Sequence, residues 1–159
     1  NMYVLSENSA GNFVQSNATI KENLKQWLNT KRMINDTIDI LDGRVINIGI
    51  NFEILADLDV NRFKVLDDCV EAIKNNYLNV KRNMGEALYL SEIYKILNDV
   101  PGVTDTTSVE VVNKTGGIYS TYPFPVKRNL SPDGRFLKVP EDSVVEVLVP
   151  ESDIKGVVK

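Results

Sequence analysis

Two carboxylate pairs, Asp57 with Asp59 and Asp67 with Asp68, are the first residues that could do chemistry, since general acid–base work needs only two such groups. The first pair closes an alternating strand and the second lies on the outer side of an amphipathic helix, so simple solvation accounts for both. Asp57-x-Asp59-x-Asn61 also has the alternation of a calcium loop, yet it runs straight into a helix with no later bidentate glutamate. Asn113-Lys114-Thr115-Gly116-Gly117 follows a strand as a phosphate loop would. It lacks the G-x-x-x-x-G-K-[ST] order and no helix follows to aim amides at a phosphate, so it reads as a strand-exit turn.

The chain has no histidine among its 159 residues. That removes the commonest general base, the usual zinc ligand and every histidine-activated nucleophile. Its single cysteine, Cys69, excludes an internal disulfide and falls on the apolar face of a helix, where a small buried core residue is expected in place of a reactive thiol. The expectations are therefore no catalytic residues, no metal, no cofactor and no enzyme activity. A net charge of −4 and a pI near 4.9 give no basic footprint for nucleic acid. No apolar run approaches the roughly 18 residues of a membrane span. Hydrophobic content of 43% and charged content of 25% fit one globular domain over 1–159.

Those residues must be positioned by alternating helices and strands. Met2 to Leu5 reads as a strand already in progress, which suggests a domain cut from a longer polypeptide. Thr19 and Glu22 look like a capping box for a helix whose Ile20, Leu24, Trp27 and Leu28 form one stripe, fraying near Asn29 to Arg32. Thr37, Ile38 and Ile40 read as a short strand before the Asp42-Gly43 turn. From Arg44 to Ala56 one long strand follows, roughly 40 Å at about 3.3 Å per residue. Ile46, Ile48, Ile50, Phe52 and Ile54 occupy its dry face, and Val45, Asn47, Gly49, Asn51 and Glu53 its wet face. Gly49 marks either a bulge or close packing against a neighbour.

A second helix is expected from Asn61 to Tyr77, burying Leu66, Cys69, Val70, Ile73 and Tyr77. Met84 to Leu90 reads as extended. Ser91 should cap a third helix burying Ile93, Ile96 and Leu97, which Pro101-Gly102 stops. Val103 to Val112 alternates, with Val103, Asp105, Thr107, Val109 and Val111 on one face. The 113–143 segment is rich in Pro, Gly and aromatic residues. There Tyr119, Tyr122 and Phe124 suit either an interface arm or a loop laid over the sheet, and Pro132-Asp133-Gly134 is a turn. Val144 to Val149 is the last strand and Ser152 to Lys159 an extended tail. The fold class expected is α+β: an open, mostly antiparallel sheet of about four strands with two to three helices on one face. The wet strand faces are expected to be solvated or covered by a partner.

The string from Lys31 to Phe52, K-R-M-I-x-D-x-I-x-I-L-D-G-x-x-I-N-I-G-x-N-F, resembles the C-terminal region of the baseplate wedge protein of T4-like contractile-tailed phages, in the wider baseplate J-like group. So do Y-V-L-S at the start, K-E-N-L-K-Q-W-L-N, Leu88 to Tyr94, the Val-Pro-Gly-Val junction, V-V-N-K-T-G-G-x-Y-S, and the closing Pro150 to Val158. The resemblance implies a structural virion protein, built in the host cytoplasm, that pairs with itself and with other wedge proteins to close a ring around the tail hub. The implied contact surface is the wet strand face, Asn47, Gly49 and Asn51, with Tyr119, Tyr122 and Phe124 of the loop. A different class stays open: a small-molecule or glycan-binding module, for which a concave pocket lined by those aromatics would speak.

Overall fold

Every second residue from Ile46 to Ile54 is almost completely buried, and these side chains are the centre of the core. Each such burial contributes about 1.5–3 kcal/mol, so this one strand supplies much of the apolar driving force. The computed structural model describes every residue except Arg32, Ile34, Asn35 and Asp36.

The chain opens with β1 (Met2–Val4), the hairpin β2 (Ser6–Glu7) and β3 (Phe13–Val14), and α1 (Ala18–Asn29). Next come β4 (Ile40–Asp42), the long β5 (Arg44–Ala56), and α2 (Arg62–Ile73), which runs on through a π-helical turn at Lys74–Leu78. Then β6 (Leu88–Tyr89), α3 (Leu90–Asn98) and β7 (Val103–Asn113) follow, with α4 (Val126–Asn129), β8 (Phe136–Leu137), β9 (Ser143–Glu146), α5 (Pro150–Asp153) and β10 (Ile154–Val158) completing the order. The fold is α+β, as the helix and strand patterns predict.

β5 anchors a four-stranded sheet whose order includes β10, β5 and β7, with β9 also paired to β5. β7 runs antiparallel to it, but β9 and β10 run parallel, so the sheet is mixed and the expectation of a mostly antiparallel one is corrected. The reason lies in the C-terminal tail. Residues 147–153 leave the β5 edge after β9, make the α5 turn, and return the chain to the same strand in the same direction. Arg44 N–H bonds the Asp142 carbonyl on that edge, while the Asn47 carbonyl accepts Lys114 N–H on the β7 edge. The expected last strand, Val144 to Val149, is therefore shorter, and the expected extended tail holds an edge strand of the main sheet.

α2 lies on β10, α3 on β7, and the two helices pack together over one sheet face. Val65, Cys69 and Ile73 of α2 and Leu90, Ile93 and Leu97 of α3 join the β5 isoleucines in one cluster. Asn61 caps α2 through its side chain, accepting from Phe63 and Lys64 amides. Tyr77, in the π turn, is buried and donates its hydroxyl to the Tyr89 carbonyl at 3.2 Å, with Arg82 stacked 4.3 Å over its ring.

Several local readings change. Asn17, not Thr19, caps α1, accepting the Thr19 amide at 3.1 Å. Ser91 does not cap α3; the helix begins at Leu90 because the Arg135 carbonyl takes the Leu90 and Ser91 amides at 2.8 and 3.3 Å. The strand before Asp42 starts at Ile40 and pairs in parallel with β1. In β7 a register shift opposite Glu53/Ile54 breaks the expected alternation, so Thr106 turns inward while Thr107 stays exposed. Of the two readings of the 113–143 segment, the loop laid over the fold is the one seen: Phe124, Ser131 and Leu137 are buried, and β8 pairs with β6. Its Pro132-Asp133-Gly134 turn forms as expected, closed by Gly134 N–H on the Ser131 carbonyl at 2.8 Å. The fraying expected at Arg32 and part of the Lys31–Phe52 string lie outside the described residues.

Candidate functional site

The second face of β5 is where the sequence places a contact surface, and the chain's own segments cover half of it. Asn47 is only 3% exposed and Gly49 is also buried, which corrects their assignment to a wet face. Asn47 organises the cover. Its side-chain oxygen accepts the Ser120 amide at 2.7 Å, its amide group donates to Glu146 Oε2 at 3.3 Å, and its carbonyl accepts from Lys114 N–H and Asn113 Nδ2. This ties down both ends of the turn at 116–117, whose two glycines are left-handed and project into open space. The turn reading of Asn113 to Gly117 is the right one.

Gly49 is no bulge. Its backbone is approached by the Asp153 carbonyl and by Lys114, leaving no room for a side chain. Above it sits a polar cluster that sequence reasoning missed. Asp153, 1% exposed, accepts the Tyr119 hydroxyl at 2.7 Å and the Val149 amide at 3.1 Å, and Lys114 Nζ stands 3.7 Å away. The bond to Asp153 holds the Tyr119 phenol above its ordinary pKa. Asp153 lies between Ser and Ile in a tail with no local sign of burial, so no sequence signal marks it. Glu146 is different: as the lone charge in Val144-Val145-Glu146-Val147-Leu148-Val149, it breaks the pattern visibly. Burial raises its pKa against the opposing bonds from Phe13 N–H and Asn47.

The six expected contact residues separate. Asn47, Gly49 and Tyr119 meet in this covered cluster. Tyr122 stays near its rim, taking a bond from Arg44 Nη1 at 3.2 Å while the guanidinium lies 4.9 Å from its ring centre. Phe124 leaves the group; it is 5% exposed, in the core on the other side of β7, with its amide held by Asn113 Oδ1. Asn51 remains half-exposed at the open end of the face, beside Glu53, which pairs with Lys159 at 2.6 Å.

Between β3, the start of β5 and the 118–123 segment lies a cleft of about 550 Å³, bordered by Arg44, Asn47, Tyr119, Tyr122 and Glu146. It is concave, aromatic and polar, and several of its polar groups are already bonded, Arg44 to Tyr122, Asn47 to Glu146 and Tyr119 to Asp153. Of the calcium-like triad, Asp57 accepts the Thr104 hydroxyl at 2.7 Å and Asn61 is occupied as a helix cap. Among the described residues no group of three acidic, histidine or cysteine side chains could hold a metal ion. Nor is any helix among them long and apolar enough to cross a membrane.

A different surface is left partly uncovered. α1 has no buried residue, although Ile20, Leu24, Trp27 and Leu28 line one side of it; Ile20 is 54% and Trp27 59% exposed. The amphipathic period is real, but among the described residues its face is only partly covered: Leu24 and Leu28 are half-buried, while Ile20 and Trp27 stay exposed. Neither family models nor curated proteins yield a match to this chain.

Proposed function

We propose that this chain is a structural, non-enzymatic assembly domain: the C-terminal part of a tail baseplate wedge subunit in a contractile-tailed phage virion, joined to copies of itself and to other wedge proteins. The wording of Lys31 to Phe52 supports the family. One observation carries the assembly role, the partly uncovered apolar stripe of α1, on which Ile20 and Trp27 remain exposed. A helix this short is not stable in water on its own, and its usual support is the burial of such a face. Trp is also among the commonest anchors of protein contacts.

Self-association through this face should bury roughly 1,200 Å² or more in total. Sedimentation equilibrium at micromolar concentration tests it. A dimer that dissociates in Leu24→Glu is expected; a monomer at all concentrations would contradict the reading.

The cleft beside Tyr119 and Tyr122 favours a second reading, a glycan-binding module, since it joins aromatic faces to polar groups. Its lining lacks Phe124, and several of its polar groups are already bonded. Saturation-transfer NMR with neutral oligosaccharides would show transfer to these tyrosines under that reading.

A further inference from the structure

Among the described residues, no strand pairs with the outer edge of β7. In an antiparallel pair, main-chain groups point alternately toward the partner and away. Lys114 N–H points to β5, where it meets the Asn47 carbonyl, so Val109, Val111 and Asn113 point outward. Val109 confirms the direction, since its amide donates to the Tyr94 hydroxyl at 2.9 Å. Tyr94 stops the edge there. Beyond it the outward main-chain groups of Val111 and Asn113 find no partner among the described residues.

Those groups open into a cleft of about 500 Å³ walled by Leu90, Val111, Phe124, Pro125, Val126 and Leu130. Its lining is mainly apolar. Three charged residues border it, Lys127 and Arg128 against Glu110, a balance of 2 − 1 = +1 in a chain whose net charge is −4. Neither Lys127 nor Arg128 forms an ion pair among the described residues.

We propose that this edge accepts an extended segment of a partner protein by strand addition, placing an apolar side chain in the cleft and an acidic residue against Lys127 and Arg128. The main chain defines the occupant. Only an extended backbone offers donors and acceptors at the alternating spacing of Val111 and Asn113, and alternate side chains then fall into the apolar cleft. Val111 is itself only 5% exposed, so the edge is reached through the cleft, and no charge or proline at Val111 or Asn113 blocks such pairing there. The inference stands apart from the assembly reading, because it involves neither α1 nor the covered face of β5.

The experiment is amide hydrogen exchange by NMR on the whole chain with a short acetylated peptide that alternates valine and threonine between terminal glutamates. A twin peptide, N-methylated at alternate amides, is the comparison. The plain peptide at millimolar concentration should slow exchange at Val111 and Asn113 by about tenfold or more, and the twin should not. Val111→Pro removes an outward N–H without touching the β5 ladder, and because Val111 is a core residue Val111→Ala is its packing control. Peptide protection at Asn113 should be lost in the proline variant and kept in the alanine variant, and loss in both would overturn the proposal. Equal protection by both peptides, or none by either, would overturn strand addition. Protection that rises with protein concentration in the absence of peptide would overturn the partner segment and make a second copy the occupant. None of these outcomes bears on dimerisation through α1, which Leu24→Glu reports separately.

Discussion

A side chain at Gly49 would bring its Cβ within 2.9 Å of the Asp153 carbonyl oxygen, so the middle of the long strand is glycine because the C-terminal turn lies directly on it. That contact ties residues far apart in sequence. It also explains why the tail re-enters the sheet parallel to β5: the α5 turn must seat on Gly49 before β10 can pair with Ile50 to Ile54.

Gly49→Ala should therefore destabilise the fold by about 1–3 kcal/mol, as overpacking does, even though alanine suits a strand better than glycine. Lys114 can swing aside, but the Asp153 carbonyl belongs to the backbone and Val112 Cγ2 is only 3.1 Å away. Urea unfolding measures the loss. An unchanged midpoint would mean that the α5 turn does not sit where described.

Asp153→Ala should also lower stability, by about 1 kcal/mol, because it removes the partner of the half-buried Val149 amide and of the Tyr119 hydroxyl. Tyr119→Phe removes only one of those bonds and should cost less. The ordering of the two unfolding midpoints is the check.

Glu146 gives a pH dependence. Burial raises its folded-state pKa above the ordinary 4.5, so the folded state binds this proton more tightly than the unfolded chain does. Its contribution to stability is complete below the unfolded value and is lost as pH rises through the folded one. Glu146→Gln keeps an acceptor for the Phe13 amide and removes the charge. Its melting temperature relative to the parent should rise from pH 4 towards neutrality. A flat difference across that range would assign Glu146 no burial penalty.

Cys69 is fully buried, and its thiol is pushed up to about 11 by desolvation first and by Asp68 second. Alkylation by iodoacetamide at neutral pH should be negligible in the folded protein and rapid in denaturant.

The β5 core was legible because its period of two is unbroken over the whole element, and Cys69, Ile73 and Tyr77 were legible from their period in α2. The second face of β5 was not. Its composition, Asn47, Gly49 and Asn51, is that of a wet face. What dries it is a loop anchored by Ser120 on Asn47 and a turn seated by Asp153 on Gly49, partners 73 residues and more than a hundred residues away. Phe124 was misplaced for a related reason: its prolines signal a loop but not which side of β7 the loop crosses. The α1 stripe was read correctly as a pattern. Periodicity states that a face is apolar, not that this chain supplies its cover.

In the proposed assembly a second copy covers the α1 stripe. Trp27 is the sole tryptophan and lies on that stripe, so its emission maximum reports that contact directly. Followed from submicromolar to millimolar concentration, it should move to shorter wavelength as the protein associates, and stay at the exposed position in Leu24→Glu. An emission maximum that remains at the exposed position at every concentration, in both proteins, would contradict the account.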